Sequence, residues 1–425
     1  MENVLQLGAV FAFCDLFNEI KSAGYEPIVC DYYENAPCKR FSNISYDIST
    51  IDTDSLTEIA RKHDVKGIAV AFSDRNLKPS MDIANRLGLP TLYTTDIISK
   101  ITNKINMKEK LQEARIPIIP YRVLENGFAD KELDGMNFPL LIKPVDGYGS
   151  KGIVICNSIN DIKSNFEKTV SASKDFKTVI LAEEENTSDE LSIAGWVKGG
   201  KVYLTCVYDV LKQRGSTITK KIGSIFPSKY LNGTYTKEFF QLLAQKVVNA
   251  FGIKQGPITL QCFINDNDIR VSELLYRFSG GGSYFHTVVM GGPNLAKMMI
   301  QFWTNTAIDT QNLEDFSIES PYFTYYMFRM LVHSANELKF QFEINNVKKL
   351  MPEICNYSVY RNEEGKYSLP LAEGEVIMRF YCKLPKGTGK SFNSIVKEAN
   401  EKFVITNASG EKISFFRYLD KDFFP

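Results

Sequence analysis

Apolar positions in the first hundred residues switch repeatedly between short runs and a helical period. Val4–Leu7 is a short apolar strand, after which Leu16, Phe17, Ile20 and Ala23 mark one helical face that stops at Gly24. Pro27–Asp31 and Gly67–Phe72 read as strands. Asp54–His63 and Pro79–Leu87 read as helices, the second closed by Gly88, and Thr91–Tyr93 reads as a further strand. Strand–helix alternation of this kind predicts a parallel sheet with helices on both faces.

The pattern then changes. Asn103–Arg115 carries Met107, Leu111 and Ala114 on one helical face, and the two prolines of Ile116–Pro120 end it. The apolar run Phe138–Ile142 leads through a glycine loop into a second strand, Gly152–Cys156. Asp161–Lys168 is helical, and Thr178–Ala182 is a strand running into the acidic triplet Glu183–Glu185. Ser192–Trp196 and Lys201–Tyr208 flank Gly199-Gly200, a hairpin signal. Thr236–Phe251 is a strong helix with Phe239, Leu242, Leu243, Val247 and Ala250 expected toward the core and Gly252 ending it. Pro257–Ile264 and Ile269–Leu275 bracket the polar turn Asn265–Asp268, and Leu295–Trp303 is helical. From about Ser320 the chain is strand-rich, most clearly at Val376–Leu384 and Phe403–Thr406. The reading is an α/β and α+β multidomain protein, with a small α+β domain at the C-terminal end.

Composition narrows the function. The 425 residues include 50 Lys+Arg and 50 Asp+Glu, so no basic stripe calls for nucleic acid. No apolar run is long and uncharged enough to span a membrane. Val4–Phe17 lacks a basic leader and is broken by Asp15, so it reads as strand and turn rather than signal sequence. The 8 cysteines contain no C-x-x-C and mostly sit in apolar runs, which points to a reducing, cytoplasmic setting. Three histidines, far apart in sequence, make a His-rich transition-metal site a poor expectation.

The chemistry concentrates in FPLLIKPVDGYGSKGI, residues 138–153. A strand ends near Lys143, and the loop that follows holds Gly147, Gly149, Ser150, Lys151 and Gly152. Glycines let backbone N–H groups turn inward on an anion, and two lysines supply charge. Gly147–Gly152 fits G-x-G-x-x-G, but a strand follows where a dinucleotide fold needs a helix. The plainer alternative is a hairpin with a glycine turn.

Four features line up in chain order: Lys104 opening a helix, the Lys143–Gly152 loop, the Glu183–Glu190 segment, and the strand pair carrying Gln261 and Glu273. Together they resemble the ATP-grasp superfamily, in its carboxylate–amine ligase branch, which includes biotin-carboxylase-like and carbamoyl-phosphate-synthase-like enzymes. The resemblance covers roughly residues 1–305. It implies a preATP-grasp α/β domain over 1–102, a lid subdomain with its linker helix over 103–190, a grasp subdomain over 191–318, and a closing α+β domain over 319–425. It implies that Lys104 and Lys143 contact ATP phosphates and that the loop Gly147, Gly149, Ser150, Lys151, Gly152 closes over them. Glu183, Glu184 and Asn186 fall where the family's hinge binds adenine, and Glu190 where a carboxylate binds the ribose. Arg277 would stabilise the acyl-phosphate, and Ser279, Gly280, Gly281 and Gly282 would bind the substrate carboxylate. His286 lies just beyond and is as readily a buried structural residue.

The metal positions depart from the family. An acidic residue followed by E-x-N on the next strand is replaced by Gln261, then Glu273 and Leu275. Strand alternation puts 273 and 275 on one face, and a loop at Asp266–Asp268 sets Gln261 opposite Glu273. Glu273 and Gln261 are therefore the expected ligands of Mg²⁺, or of Mn²⁺ in its place. The first strand also lacks the usual glycine-rich turn: it reads LQLGAVFAF.

The resemblance implies an ATP-dependent ligase. A small-molecule carboxylate becomes an acyl-phosphate, and an amine displaces phosphate to give an amide or peptide bond. Two alternatives stay open: a grasp-fold phosphotransferase, and a nucleotide-binding regulatory protein without turnover. Homodimers are common among such proteins, though no residue here shows one.

Overall fold

A computed structural model describes every residue except 148–151, 174–177, 214–219, 232, 333–337, 362–374 and 421–425. Four parallel strands, β1 (Glu2–Leu7), β2 (Tyr25–Asp31), β3 (Ile44–Asp47) and β4 (Val65–Ala69), form a sheet in the order β3-β2-β1-β4. Alternation along β1 sends Val4 to one face with Phe13, Phe17 and Ile20 of helix Phe11–Ser22. Leu5 and Leu7 go with Leu56, Ile59 and Ile83 of helices Thr53–Lys62 and Leu77–Leu87. Helices therefore cover both faces, as the alternation predicts. Thr91–Tyr93 is not a strand. It leads into a helix the pattern missed, Thr95–Thr102, whose cap Thr94 accepts from the Ile97 amide. The Tyr93 hydroxyl donates to the Tyr276 carbonyl at 3.1 Å, so its apolar ring fills an inter-element joint instead of a sheet.

The lid is a four-stranded antiparallel sheet of β5 (Tyr121–Glu125), β6 (Leu140–Pro144), β7 (Val154–Cys156) and β8 (Val179–Glu184), in the order β5-β8-β6-β7. Leu140, Ile142 and Ile180 bury one of its faces against Ile162 and Phe166 of helix Ile159–Val170. Gly152, at φ +75°, enters β7 where an added Cβ would stand 2.5 Å from the Ala172 Cβ, so only glycine fits.

The larger sheet has nine strands. β9 (Asp189–Lys198), β10 (Lys201–Gln213), β11 (Lys220–Phe226), β12 (Gln255–Ile264), β13 (Ile269–Leu275) and β14 (Phe323–Val332) come first in sequence. After the short β15 (Lys339–Phe340) come β16 (Ile354–Val359), β17 (Glu375–Pro385), the short β18 (Ile405–Thr406) and β19 (Ser414–Phe416). The order is β13-β12-β9-β10-β11-β14-β17-β16, with β19 on β14, while β15 and β18 pair separately. The strand-rich C-terminal stretch thus extends the grasp sheet through the β11–β14 pairing, and packs a core of its own around Phe328, Phe380, Phe392 and Phe403.

Helix Lys237–Phe251 buries Phe240, Leu243, Ala244, Val247, Val248 and Phe251. Leu242 is 70% exposed and Phe239 faces partly outward, one position off the expected stripe. The doublets Phe239-Phe240, Leu242-Leu243 and Val247-Val248 support two overlapping helical faces, and packing onto the sheet selects one.

Candidate active site

Lid, grasp sheet and first domain enclose a cleft of about 1570 Å³. Its lid end is organised by one carboxylate. Glu183, at the end of β8, pairs through one oxygen with the Lys143 ammonium at 2.6 Å and through the other with Lys108 at 2.8 Å. Lys143 comes from β6, where it stands beside Leu181 of β8. Lys108 comes from helix Lys104–Glu113, whose cap Asn103 accepts from the amides of Ile105 and Asn106. Lys104, one turn earlier, donates to the Gly147 carbonyl at the start of the glycine loop. Burial alone would raise the Glu183 carboxyl, but Lys143 and Lys108 outweigh it and hold it below the ordinary value. Lys108 is held below its own ordinary value by burial, because it shares a single carboxylate with a second ammonium. Two ammonium groups share one buried carboxylate here, and a third, Lys104, stands close by between that pair and Glu273 across the cleft.

The same device recurs seven residues on. Glu190, buried in β9, takes Lys212 of β10 and Lys221 of β11, each at 2.5 Å. Those lysines face each other directly across the β10–β11 ladder. The other expected hinge groups hold the segment in shape: Glu184 accepts from the Asn137 amide and side chain at 2.9 Å, and Asn186 from the Ser188 amide at 2.9 Å.

On the facing strands, Gln261 of β12 stands opposite Glu273 of β13 in the register expected from the sequence, and both line the cleft. Leu275 lies beside them and offers no donor. Among the described residues no group of three or more His, Cys, Asp or Glu is placed to hold a metal ion. Two oxygen donors, one of them charged, suit a hard cation that arrives with a triphosphate and keeps some waters.

Arg277, expected to meet the acyl-phosphate, is gripped by Asp74 of the first domain: Nε to Oδ1 at 2.7 Å and Nη2 to Oδ2 at 2.5 Å. Its Nη1 donates to the Phe278 carbonyl at 3.1 Å. Arg277 thus joins two domains while lining the cleft. Ser279 turns the following loop, its Oγ accepting from the Gly281 amide at 3.1 Å. Gly282 sits at φ +89°, and an added Cβ would lie 3.0 Å from Arg379 Nη1. His286 is fully buried, stacked 4.2 Å from the Phe226 ring and sharing a hydrogen bond with Ser224 at 3.1 Å. Burial and Arg379 keep it neutral, as a structural residue. Gly147 lines the cleft, Gly152 enters β7, and Gly149, Ser150 and Lys151 lie outside the described residues.

Sequence reasoning missed Lys108, Lys212, Lys221, Asp74 and Arg329. Only Lys108 had a local signal, its i+4 spacing from Lys104 on one helix face. The others reach the cleft through sheet order or domain contact.

Residues 136–283 match the family model of the ATP-grasp domain. N5-carboxyaminoimidazole ribonucleotide synthase of Staphylococcus aureus (strain COL) is 21% identical over 247 residues, covering 55% of this chain and 64% of that protein. The chain thus spans under two thirds of that curated relative's length. Among solved structures, biotin carboxylase from Campylobacter jejuni superposes with a TM-score of 0.74 at 15% identity, covering 97% of this chain and 93% of that one. L-amino acid ligase from Bacillus licheniformis gives 0.71 at 17% identity, covering 96% and 99%. At such identities the likeness is one of fold. Among the described residues no helix is long and apolar enough to cross a membrane.

Proposed function

Given that residues 136–283 form an ATP-grasp domain, we propose that this protein is an ATP-dependent carboxylate–amine ligase. The observation that carries the reading is that Lys108 and Lys143 share Glu183 while Lys104 holds the Gly147 carbonyl at the start of the glycine loop, with Glu273 and Arg277 lining the same cleft. Clustered ammonium groups at a glycine loop are what a triphosphate binds. A carboxylate oxygen attacks the γ-phosphorus, the β,γ-bridge breaks and ADP leaves. An amine nitrogen then attacks the acyl carbon of the acyl-phosphate, loses a proton, and phosphate departs.

The chain's own contribution is positioning and charge. Lys104 and Lys143 bind phosphate oxygens, and Lys108 keeps Glu183 oriented so that Lys143 points at the nucleotide. Asp74 holds the Arg277 fork beside the acyl carbon's position. Glu273 and the Gln261 amide oxygen would hold Mg²⁺, or Mn²⁺, with triphosphate oxygens and water completing the shell. That ion supplies neutralisation of the triphosphate charge.

A coupled ADP-release assay over amino acids and amines tests this. ADP should appear only when a carboxylate and an amine are both present, and Lys143→Ala should abolish it. Release with carboxylate alone points to a phosphotransferase. Nucleotide binding without release, which the missing donor at Leu275 and the missing charge at Gln261 would favour, points to a protein without turnover.

A further inference from the structure

Arg329 and Arg379 face each other directly across β14 and β17. Like charges in that position repel unless each is met by an anion. Arg379 is met: it is buried with its Nη2 on the Asp15 carboxylate, which also accepts from Tyr284 at 2.9 Å and Tyr360 at 3.2 Å. Arg329 is not. Its hydrogen bond is a 3.4 Å contact from Nη2 to the Gly280 carbonyl, and among the described residues its enclosed Nε, like Arg379 Nε and Nη1, has no partner. The strongest charges acting on it are Arg379 and the hydroxyls of Tyr360, Tyr381 and Tyr208, and among the described residues no carboxylate pairs with it. A guanidinium without an anion that lines an open cleft is a site for one.

Beside these polar neighbours it meets apolar surface. The guanidinium lies 5.8 Å over the Phe11 ring, which contacts Tyr360 at 5.5 Å. Phe72, Met327, Leu331 and Val376 line the same cleft. Phe72 holds φ +60°, a conformation costly for a bulky side chain, with its ring 5.0 Å from Phe13 and 5.6 Å from Tyr284. Phe11 after β1 and Phe72 after β4 thus both present an aromatic ring to the cleft.

Resting on the ligase reading, we infer that Arg329 receives the carboxylate of a substrate whose remaining part is apolar or aromatic and packs on Phe11 and Phe72. The substrate class is an apolar amino acid, or a peptide ending in one, and neither a sugar acid nor a ribosyl phosphate.

Calorimetric titration of the full-length protein, with and without saturating Mg²⁺ and the non-hydrolysable ATP analogue AMP-PNP, tests this. L-Phenylalanine, L-leucine or L-methionine should give saturable binding. Phenethylamine, which has the ring and amine but no carboxylate, and ribose 5-phosphate should not. Arg329→Gln should weaken the amino acid by roughly tenfold or more and leave AMP-PNP affinity unchanged. Should that variant fail to fold, Arg329→Lys serves: it keeps the charge but loses the planar fork that grips a carboxylate, and should weaken the same ligands. Tighter binding of ribose 5-phosphate, equal binding of phenethylamine, no binding of any of the three amino acids, or unchanged affinity in the variants overturns the inference. Amino-acid binding without AMP-PNP binding sinks the ligase reading alone, and the converse sinks the pocket alone.

Discussion

The two ends of the cleft handle buried positive charge differently. At the lid end, Lys108 and Lys143 share Glu183, and the ammonium groups are spread over a helix and a strand, with Lys104 held by a glycine-loop carbonyl. At the β14 end the charges are segregated. Arg379 has Asp15, which two tyrosine hydroxyls also hold in place, while Arg329, directly across the ladder, has no carboxylate partner among the described residues. A shared carboxylate makes a site that is stable when empty and still attractive to a polyanion. A segregated pair makes one arginine a strut and leaves the other exposed to whatever single anion enters. The first arrangement suits a triphosphate, the second one carboxylate.

The contrast breaks most visibly at Asp15. Asp15→Asn removes the counter-charge of a guanidinium that is fully buried, and should cost about 3–5 kcal/mol, read as a fall in the urea midpoint. Arg329→Met should do the opposite: by ending the repulsion across the ladder it should leave the midpoint unchanged or raise it, while amino-acid binding is lost. If both substitutions destabilise equally, the two arginines are structural equals and the segregation is wrong.

Glu183→Gln comes next. It strands Lys108, whose side chain is 2% exposed, and Lys143 without their carboxylate, at a cost of about 3 kcal/mol. Unlike Asp15→Asn, part of this loss should be recovered on adding Mg²⁺ and AMP-PNP, because phosphate oxygens substitute for the missing carboxylate. A thermal shift on nucleotide addition no larger than that of the unaltered protein would contradict the shared-carboxylate account.

A smaller effect is expected at the metal positions. Leu275→Asn restores an oxygen donor on the face of β13 that carries Glu273, and should tighten Mn²⁺ binding to the AMP-PNP complex by roughly threefold to tenfold, read by electron paramagnetic resonance. Glu273→Gln should abolish that binding, and Leu275→Asn should not rescue it. Rescue would move the principal ligand away from Glu273.

The lid end was far more legible in sequence than the β14 end, for a physical reason. Gln261 opposite Glu273 follows from a hairpin of fixed loop length, and Lys143 with its glycine loop is contiguous. The link between Asp15 and Arg379 spans 364 positions and depends on how the first domain docks on β17, which no local period encodes. Even within single elements, ambiguity followed from redundancy: paired apolar residues in helix Lys237–Phe251 left its buried face undecided. The departure from the usual glycine-rich turn after β1 was visible, but its consequence, the Phe11 ring beside Arg329, needed the strand order that brings β14 there.

Acid offers the finest separation of the two ends. In the folded protein Glu183 is held below its ordinary value near 4.5, since Lys143 and Lys108 outweigh the burial that would raise it. A carboxyl whose value is depressed on folding adds stability that is complete above the unfolded value and disappears as pH falls through the folded one. The stability difference between the unaltered protein and Glu183→Gln should therefore be constant from pH 7 down to about 5 and shrink below 4.5. Glu190, depressed in the same way by Lys221 and Lys212 against its burial, should give a Glu190→Gln difference that shrinks over the same range. Urea midpoints at half-unit pH steps measure both. A Glu183→Gln difference that grows on acidification would mean the carboxylate costs more to bury than its two lysines return.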